Sequence, residues 1–76
     1  MEIKVLGTGC QKCIRLEKQV VEALEFLGIK EEVIKVKEIK DIMSYGVMST
    51  PALVVNGKVV IQGQVPSVDQ LKEILK

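Results

Sequence analysis

The sequence predicts an α/β fold in the order β-α-β-α-β-β-α, a four-stranded mixed sheet flanked by helices. Three observations predict it. Short apolar runs alternate with stretches of helical periodicity between Glu2 and Gly46. Two β-rich runs follow, split by Asn56-Gly57, the dipeptide that best accepts the positive φ angles of a type I′ hairpin turn. An amphipathic segment with a capping signal then closes the sequence.

Glu2 to Leu6 reads as a short apolar strand, and Gly7-Thr8-Gly9 is a turn that brings the backbone round into a helix. Over residues 11–27, Cys13, Leu16, Val20, Ala23, Leu24 and Leu27 recur at three- and four-residue steps, while Arg15, Glu17, Lys18, Glu22 and Glu25 fall mostly elsewhere. Gly28 is the stop. From Glu32 to Lys37, Ile34 and Val36 alternate with Lys35 and Lys37, the pattern of a half-buried strand. Strand, helix and strand make a right-handed parallel unit. Ile39, Ile42 and Met43 repeat at helical spacing, and Gly46 ends that short helix. Beyond the loop Val47-Met48-Ser49-Thr50, Pro51 opens the strand Ala52 to Val55, and Lys58 to Ile61 returns beside it. Gly63 and Pro66 break this strand. Ser67 and Gln70 then have capping-box spacing, with Val68, Leu71, Ile74 and Leu75 facing the core.

Seventy-six residues make a single domain, 1–76, which buries only about 60% of the surface its unfolded chain exposes. Aromatic residues are 3% of the sequence against 47% apolar residues in all, so the interior must be built from Val, Ile, Leu, Met and Ala. The formal charge of +1 supplies no field to attract nucleic acid or an anionic membrane, and neither is an expected partner. No apolar run approaches the roughly 20 residues that span a bilayer. Met1-Glu2-Ile3-Lys4 leads straight into a strand pattern, with no signal-peptide core. The expected protein is cytoplasmic and monomeric.

Cys10 and Cys13, the only cysteines, sit at the predicted strand-to-helix junction in Gly7-Thr8-Gly9-Cys10-Gln11-Lys12-Cys13. At a helix start, unpaired N–H groups and the positive end of the helix dipole favour a thiolate over a thiol at Cys10. Residues at i and i+3 share a helix face, and their separation falls in the Cα–Cα window of roughly 4.4–6.8 Å that a disulfide tolerates. So short a loop gains only about 2 kcal/mol from closure in the chain-entropy model, and a cytoplasmic Cys-x-x-Cys is more often catalytic, redox-sensing or metal-binding than a permanent staple. Lys12 adds a positive charge that either helps ionise these thiols or is simply a solvated helix residue. Tyr45, Val47 and Met48 are open to two readings, a partner-binding surface or packing under a loop.

Taken together, the Cys10-x-x-Cys13 turn, Thr50-Pro51 opening the third strand, and the Asn56-Gly57 hairpin before a capped helix resemble the thioredoxin-like superfamily. The likeness is greatest to its small prokaryotic redox-active disulfide proteins and runs nearly end to end. It implies a thioredoxin-like fold, with Pro51 in a cis peptide beside the disulfide and with Gly9, Thr50 and Pro51 lining the groove for an extended substrate. It also implies a thiol–disulfide oxidoreductase that needs no cofactor and no metal. Cys10 would attack a protein disulfide, Cys13 would resolve the mixed disulfide, and a reductase would restore the dithiol. The sequence departs from thioredoxins in having Gly9 for Trp, Gln11-Lys12 for Gly-Pro, and Lys4 where a buried Asp stands six residues before the first cysteine. It departs from glutaredoxins in lacking Cys-Pro-Tyr-Cys and a Gly-Gly turn before the last helix.

Two alternatives use the same features. Gly-Thr-Gly-Cys-x-x-Cys is similar to the motif of heavy-metal-associated domains, and two thiolates suit linear Cu(I), so a small carrier of Cu(I) or another soft metal competes. That family runs β-α-β-β-α-β and leaves Pro51 unexplained. A non-catalytic adaptor using the same groove is the third class, and it leaves the dithiol unexplained.

Overall fold

A computed structural model describes residues 2–76; Met1, which opens the expected 1–76 domain, lies outside the described residues. The elements are β1 (Ile3–Leu6), α1 (Gln11–Leu27), β2 (Val33–Val36), α2 (Ile39–Ser44), β3 (Ala52–Val55), β4 (Lys58–Gln62) and α3 (Val68–Leu75). This is the predicted order, and each predicted element falls within a residue or two of its place. The sheet order is β2-β1-β3-β4, with β1 parallel to β2 and antiparallel to β3, and β4 antiparallel to β3. Such a mixed sheet with flanking helices is a thioredoxin-like α/β arrangement.

Strand alternation sends β1 and β3 side chains into two separate cores. Ile3, Val5 and Leu53 meet Leu16, Val20, Ala23 and Leu24 of α1 and Leu71 and Leu75 of α3 on one face. On the other, Leu6, Ala52 and Val54 pack with Ile42 of α2 and with Val47. β3 is apolar along its length because it has to satisfy both layers. Val68 and Ile74 sit at the margin of the first core, as the periodicity of α3 requires.

Local chemistry explains the boundaries. Cys10 occupies the N-cap of α1, and Gly28 closes it in the left-handed conformation at φ 70°. At the hairpin, Asn56 and Gly57 have φ of 53° and 82°, as a type I′ turn demands. Asn56 also ties down the start of β1: its N–H donates to the Glu2 carbonyl (2.8 Å), and its Oδ1 accepts from the Glu2 N–H (2.9 Å). Ser67 and Gln70 form the capping box: Ser67 Oγ accepts from the Gln70 N–H (3.2 Å), while Gln70 Oε1 accepts from the Ser67 N–H (3.0 Å). Gln19 Nε2 donates to the Pro66 carbonyl, joining α1 to the entry of α3.

Two details differ from the sequence expectation. In β2, Val33 and Val36 pack inward, but Ile34 is 44% exposed. β2 is an edge strand, and the six-residue α2 is too short to cover its outer part. In β4 the register shifts: Val54 pairs with Val59 and Leu53 with Ile61, so Val60 has no opposite number. This bulge lets Val59 serve one core and Ile61 the other, although simple alternation would put both on one face.

Truncating the junction between α1 and α3 tests this packing. Leu71→Ala is expected to cost about 2–5 kcal/mol, whereas Ser67→Ala, which removes only a cap, costs about 1 kcal/mol. Urea denaturation of the two variants checks the ranking.

Candidate active site

Three chain segments leave the sheet at the same end. Leu6 pairs with Val36 on one side and with Ala52 on the other. Gly7 therefore leaves β1 beside Lys37 leaving β2 and Pro51 entering β3, and the Gly7 N–H donates to the Val36 carbonyl (2.9 Å). α1 starts from this same end, so topology alone gathers the cysteine turn, the Thr50-Pro51 loop and the end of β2.

The two cysteines stand in unlike surroundings. Cys10 is exposed, whereas Cys13 is 5% exposed and belongs to the buried face of α1. They are joined in a disulfide with Cα atoms 5.0 Å apart, inside the window the i, i+3 spacing implied. Cys10 Sγ accepts a hydrogen bond from the Cys13 N–H (3.2 Å), so the sulfur caps one of the orphan donors at the helix start. No acidic residue lies in the first turn of α1, which leaves the positive end of the helix dipole unopposed there. Such an environment favours negative charge on Cys10 in the reduced protein. Lys12 lies exposed between the cysteines.

Gly7 is needed for a reason that spacing does not disclose. A Cβ at this position would collide with Cys13 Sγ and lie 3.0 Å from Cys13 Cβ. Only a bare backbone allows β1 to run so close beneath the second sulfur. Gly9 has φ 94° and supplies the left-handed step that turns the chain toward α1.

Pro51 is buried and its peptide bond with exposed Thr50 is cis. Two hydrogen bonds to the end of β4 brace this loop. Gly63 N–H donates to the Pro51 carbonyl (2.8 Å), and Met48 N–H donates to Gln62 Oε1 (2.9 Å). Of the loop residues open to two readings, Val47 is buried and Tyr45 packs against the second core, while Met48 is 92% exposed.

A cleft of about 220 Å³ opens beside Cys13, between α1 and β2, with Glu17, Lys35 and Lys37 on its walls. Glu17 Oε1 and Lys35 Nζ lie 3.2 Å apart. Lys4 faces away from this cleft, since strand alternation places it on the face opposite Val5. Its ammonium donates to the Tyr45 hydroxyl (2.8 Å) and pairs with Glu2 (3.2 Å). The Tyr45 hydrogen bond, followed by that of Glu2, pushes the Lys4 pKa above its ordinary 10.5. Among the described residues, no group of three or more His, Cys, Asp or Glu is placed to hold a metal ion, and no helix is long and apolar enough to cross a membrane.

Sequence reasoning names the two cysteines, Gly9, Lys12, Thr50 and Pro51 as expected site residues, and the fold brings their segments to one end of the sheet. It missed the close approach at Gly7, the Glu17–Lys35 pair and the Lys4–Tyr45 bond. The last two join residues far apart in sequence and had no local signal.

The family model described as thioredoxin domain matches residues 1–76. A protein named thioredoxin from Methanothermobacter thermautotrophicus is 43% identical over 75 residues, covering 99% of this chain and 97% of its own. Another protein of that name, from Methanocaldococcus jannaschii, is 39% identical over 74 residues, covering 97% of this chain and 85% of its own.

Gly7→Ala is expected to destabilise the fold by about 1–3 kcal/mol through overpacking against Cys13, measured by chemical denaturation. The Lys4 contacts carry a pH signature. A cation whose folded pKa is raised contributes stability that is complete below its unfolded value and is lost as pH rises through the folded one. The stability difference between the native protein and Lys4→Met should therefore persist at neutral pH and vanish in strongly alkaline solution, above 10.5.

Proposed function

This chain belongs to the thioredoxin domain family and is a thiol–disulfide oxidoreductase, and we propose that it works as a reductant of protein disulfides through Cys10 and Cys13. The unequal exposure of the two sulfurs carries this reading. An incoming disulfide can meet Cys10, but Cys13 lies beneath the surface and is suited to react only with its neighbour.

Cys10 attacks as a thiolate, stabilised by the Cys13 N–H and the helix terminus. One substrate sulfur bonds to Cys10, and the other departs with the electron pair. Cys13, once ionised, attacks Cys10 Sγ from one helical turn below. The remaining substrate sulfur leaves, so a substrate dithiol and the Cys10–Cys13 disulfide are the products. A sulfur held at a helix N-terminus is also a good leaving group, which speeds this second exchange. A reductase then returns two electrons and two protons to the pair.

Substrate binding falls to the loop that shares the end of the sheet with the cysteine turn. Thr50 is exposed there and Pro51 shapes the wall, while Gly9 has no side chain to obstruct an extended segment. Main-chain pairing along such an edge gives affinity without demanding one substrate sequence. Lys12 adds a screened positive charge to the same end. Disulfide-bearing proteins and the reductase are the proposed partners, in the cytoplasm, with the chain acting as a monomer. The metal-carrier alternative rests on the cysteine motif alone, since heavy-metal-associated domains run β-α-β-β-α-β and the element order here is β-α-β-α-β-β-α.

Thiol trapping tests these roles. Cys13→Ser is expected to accumulate mixed disulfides with its substrates, and Cys10→Ser is expected to trap none; equal trapping by both would overturn the assignment. Reduced protein should complete the redox cycle in metal-free buffer, whereas a Cu(I) carrier would retain the metal and fail to turn over.

A further inference from the structure

The oxidoreductase reading leaves one proton unassigned. To close the ring Cys13 must react as a thiolate. It is 5% exposed, and its own N–H group serves Cys10 Sγ. The cleft that Cys13 lines, about 220 Å³ in volume, gives that proton a way out and has room for a bridging water. Of the other residues on its walls, Val5, Gly7, Gly9 and Ile14 carry no side-chain proton acceptor. The ammonium groups of Lys35 and Lys37 are donors only. Glu17 remains.

Its placement suits the task. Glu17 is four residues beyond Cys13 on α1, so the two share a helix face and open into one cleft. Lys35 reaches from β2 to hold the carboxylate by a 3.2 Å ion pair. Glu17 is 27% and Lys35 52% exposed, and a pair so open to solvent adds little to stability. Lys4 cannot substitute, since it lies on the opposite face of the sheet and is held protonated by Tyr45 and Glu2.

We propose that Glu17 is the proton acceptor for Cys13 in the resolving step, with Lys35 as a positioning residue that aims the carboxylate into the cleft. The proposal rests on the oxidoreductase reading. In the mixed disulfide, the Cys13 proton passes to the Glu17 carboxylate across a water. The Cys13 thiolate bonds to Cys10 Sγ, and the bond from Cys10 to the substrate sulfur breaks. The electron pair leaves on that sulfur, which takes a proton from solvent. Glu17 then returns its own proton to solvent through the open side of the cleft. No external oxidant or reductant enters beyond the substrate disulfide.

Stopped-flow reaction of the reduced protein with dithiobis(nitrobenzoate) separates the two steps, because Cys10 attack releases the first thionitrobenzoate and Cys13 resolution the second. Glu17→Gln should leave the first release unchanged and slow the second by about 10²-fold or more, the usual scale for losing a general base. In that variant, resolution should climb with hydroxide concentration, while the native protein shows a shallower pH profile. The charged groups facing the cleft are Glu17, Lys35 and Lys37, so Lys35→Met is measured alongside and should slow only the second step, by less than Glu17→Gln. Glu17→Ala should recover resolution in proportion to added imidazole buffer, an effect that a purely structural role would not produce. Native-rate resolution in Glu17→Gln, or equal slowing of both steps, would overturn the proposal. A native protein that released no thionitrobenzoate would sink the oxidoreductase reading itself.

Discussion

The rung formed by Leu6 is the constraint on which the site depends. Because this residue is paired with Val36 on one side and Ala52 on the other, the chain must leave β1, leave β2 and enter β3 within one small region. None of these exits is free to move alone. The two cores beneath, one under α1 and α3 and the other under α2, lock the register, since a slip of one residue would turn Leu6 and Ala52 toward the wrong layer. A small domain with few buried side chains to spare thus places the cysteine turn through the register of its sheet.

On that frame, the chemistry follows from a difference in depth. One sulfur caps a helix at the surface, and its partner sits on the buried face of the same helix, against the backbone of Gly7. The short spacing keeps them within bonding distance, while the helix gives them different access and different electrostatics. A symmetric pair of thiols would have no order of attack. In the proposed mechanism the order follows the direction of α1, and the cleft between α1 and β2 is lined by Cys13 together with Glu17, Lys35 and Lys37.

Much of this was legible in the sequence. The seven elements emerged because local signals agreed with the global fold: Gly28 ended α1, Asn56-Gly57 set the hairpin, and Ser67 with Gln70 began α3. The cysteine turn and Thr50-Pro51 were visible as motifs. The bulge at Val60 was not, because Lys58 to Ile61 reads equally well as regular alternation, and only the two-sided demand of the cores forces an extra residue. Ile34 departs from its expected burial for a related reason: its pattern is that of a half-buried strand, but coverage depends on the length of α2. The Glu17–Lys35 and Lys4–Tyr45 pairs were invisible because each joins separate elements across the tertiary fold.

The bulge in β4 also bears on how the molecule behaves in a crowded solution. β4 is an outer strand of the sheet, and a flat outer strand offers unpaired main-chain groups to any neighbouring polypeptide. The kink at Val60 breaks that ribbon partway along, so a visiting strand cannot keep step on both sides of it. The opposite rim, β2, is only four residues long and is flanked by Lys37. A protein whose proposed work is to engage extended segments at one end of its sheet thereby presents poor templates for fibril growth along its two sides.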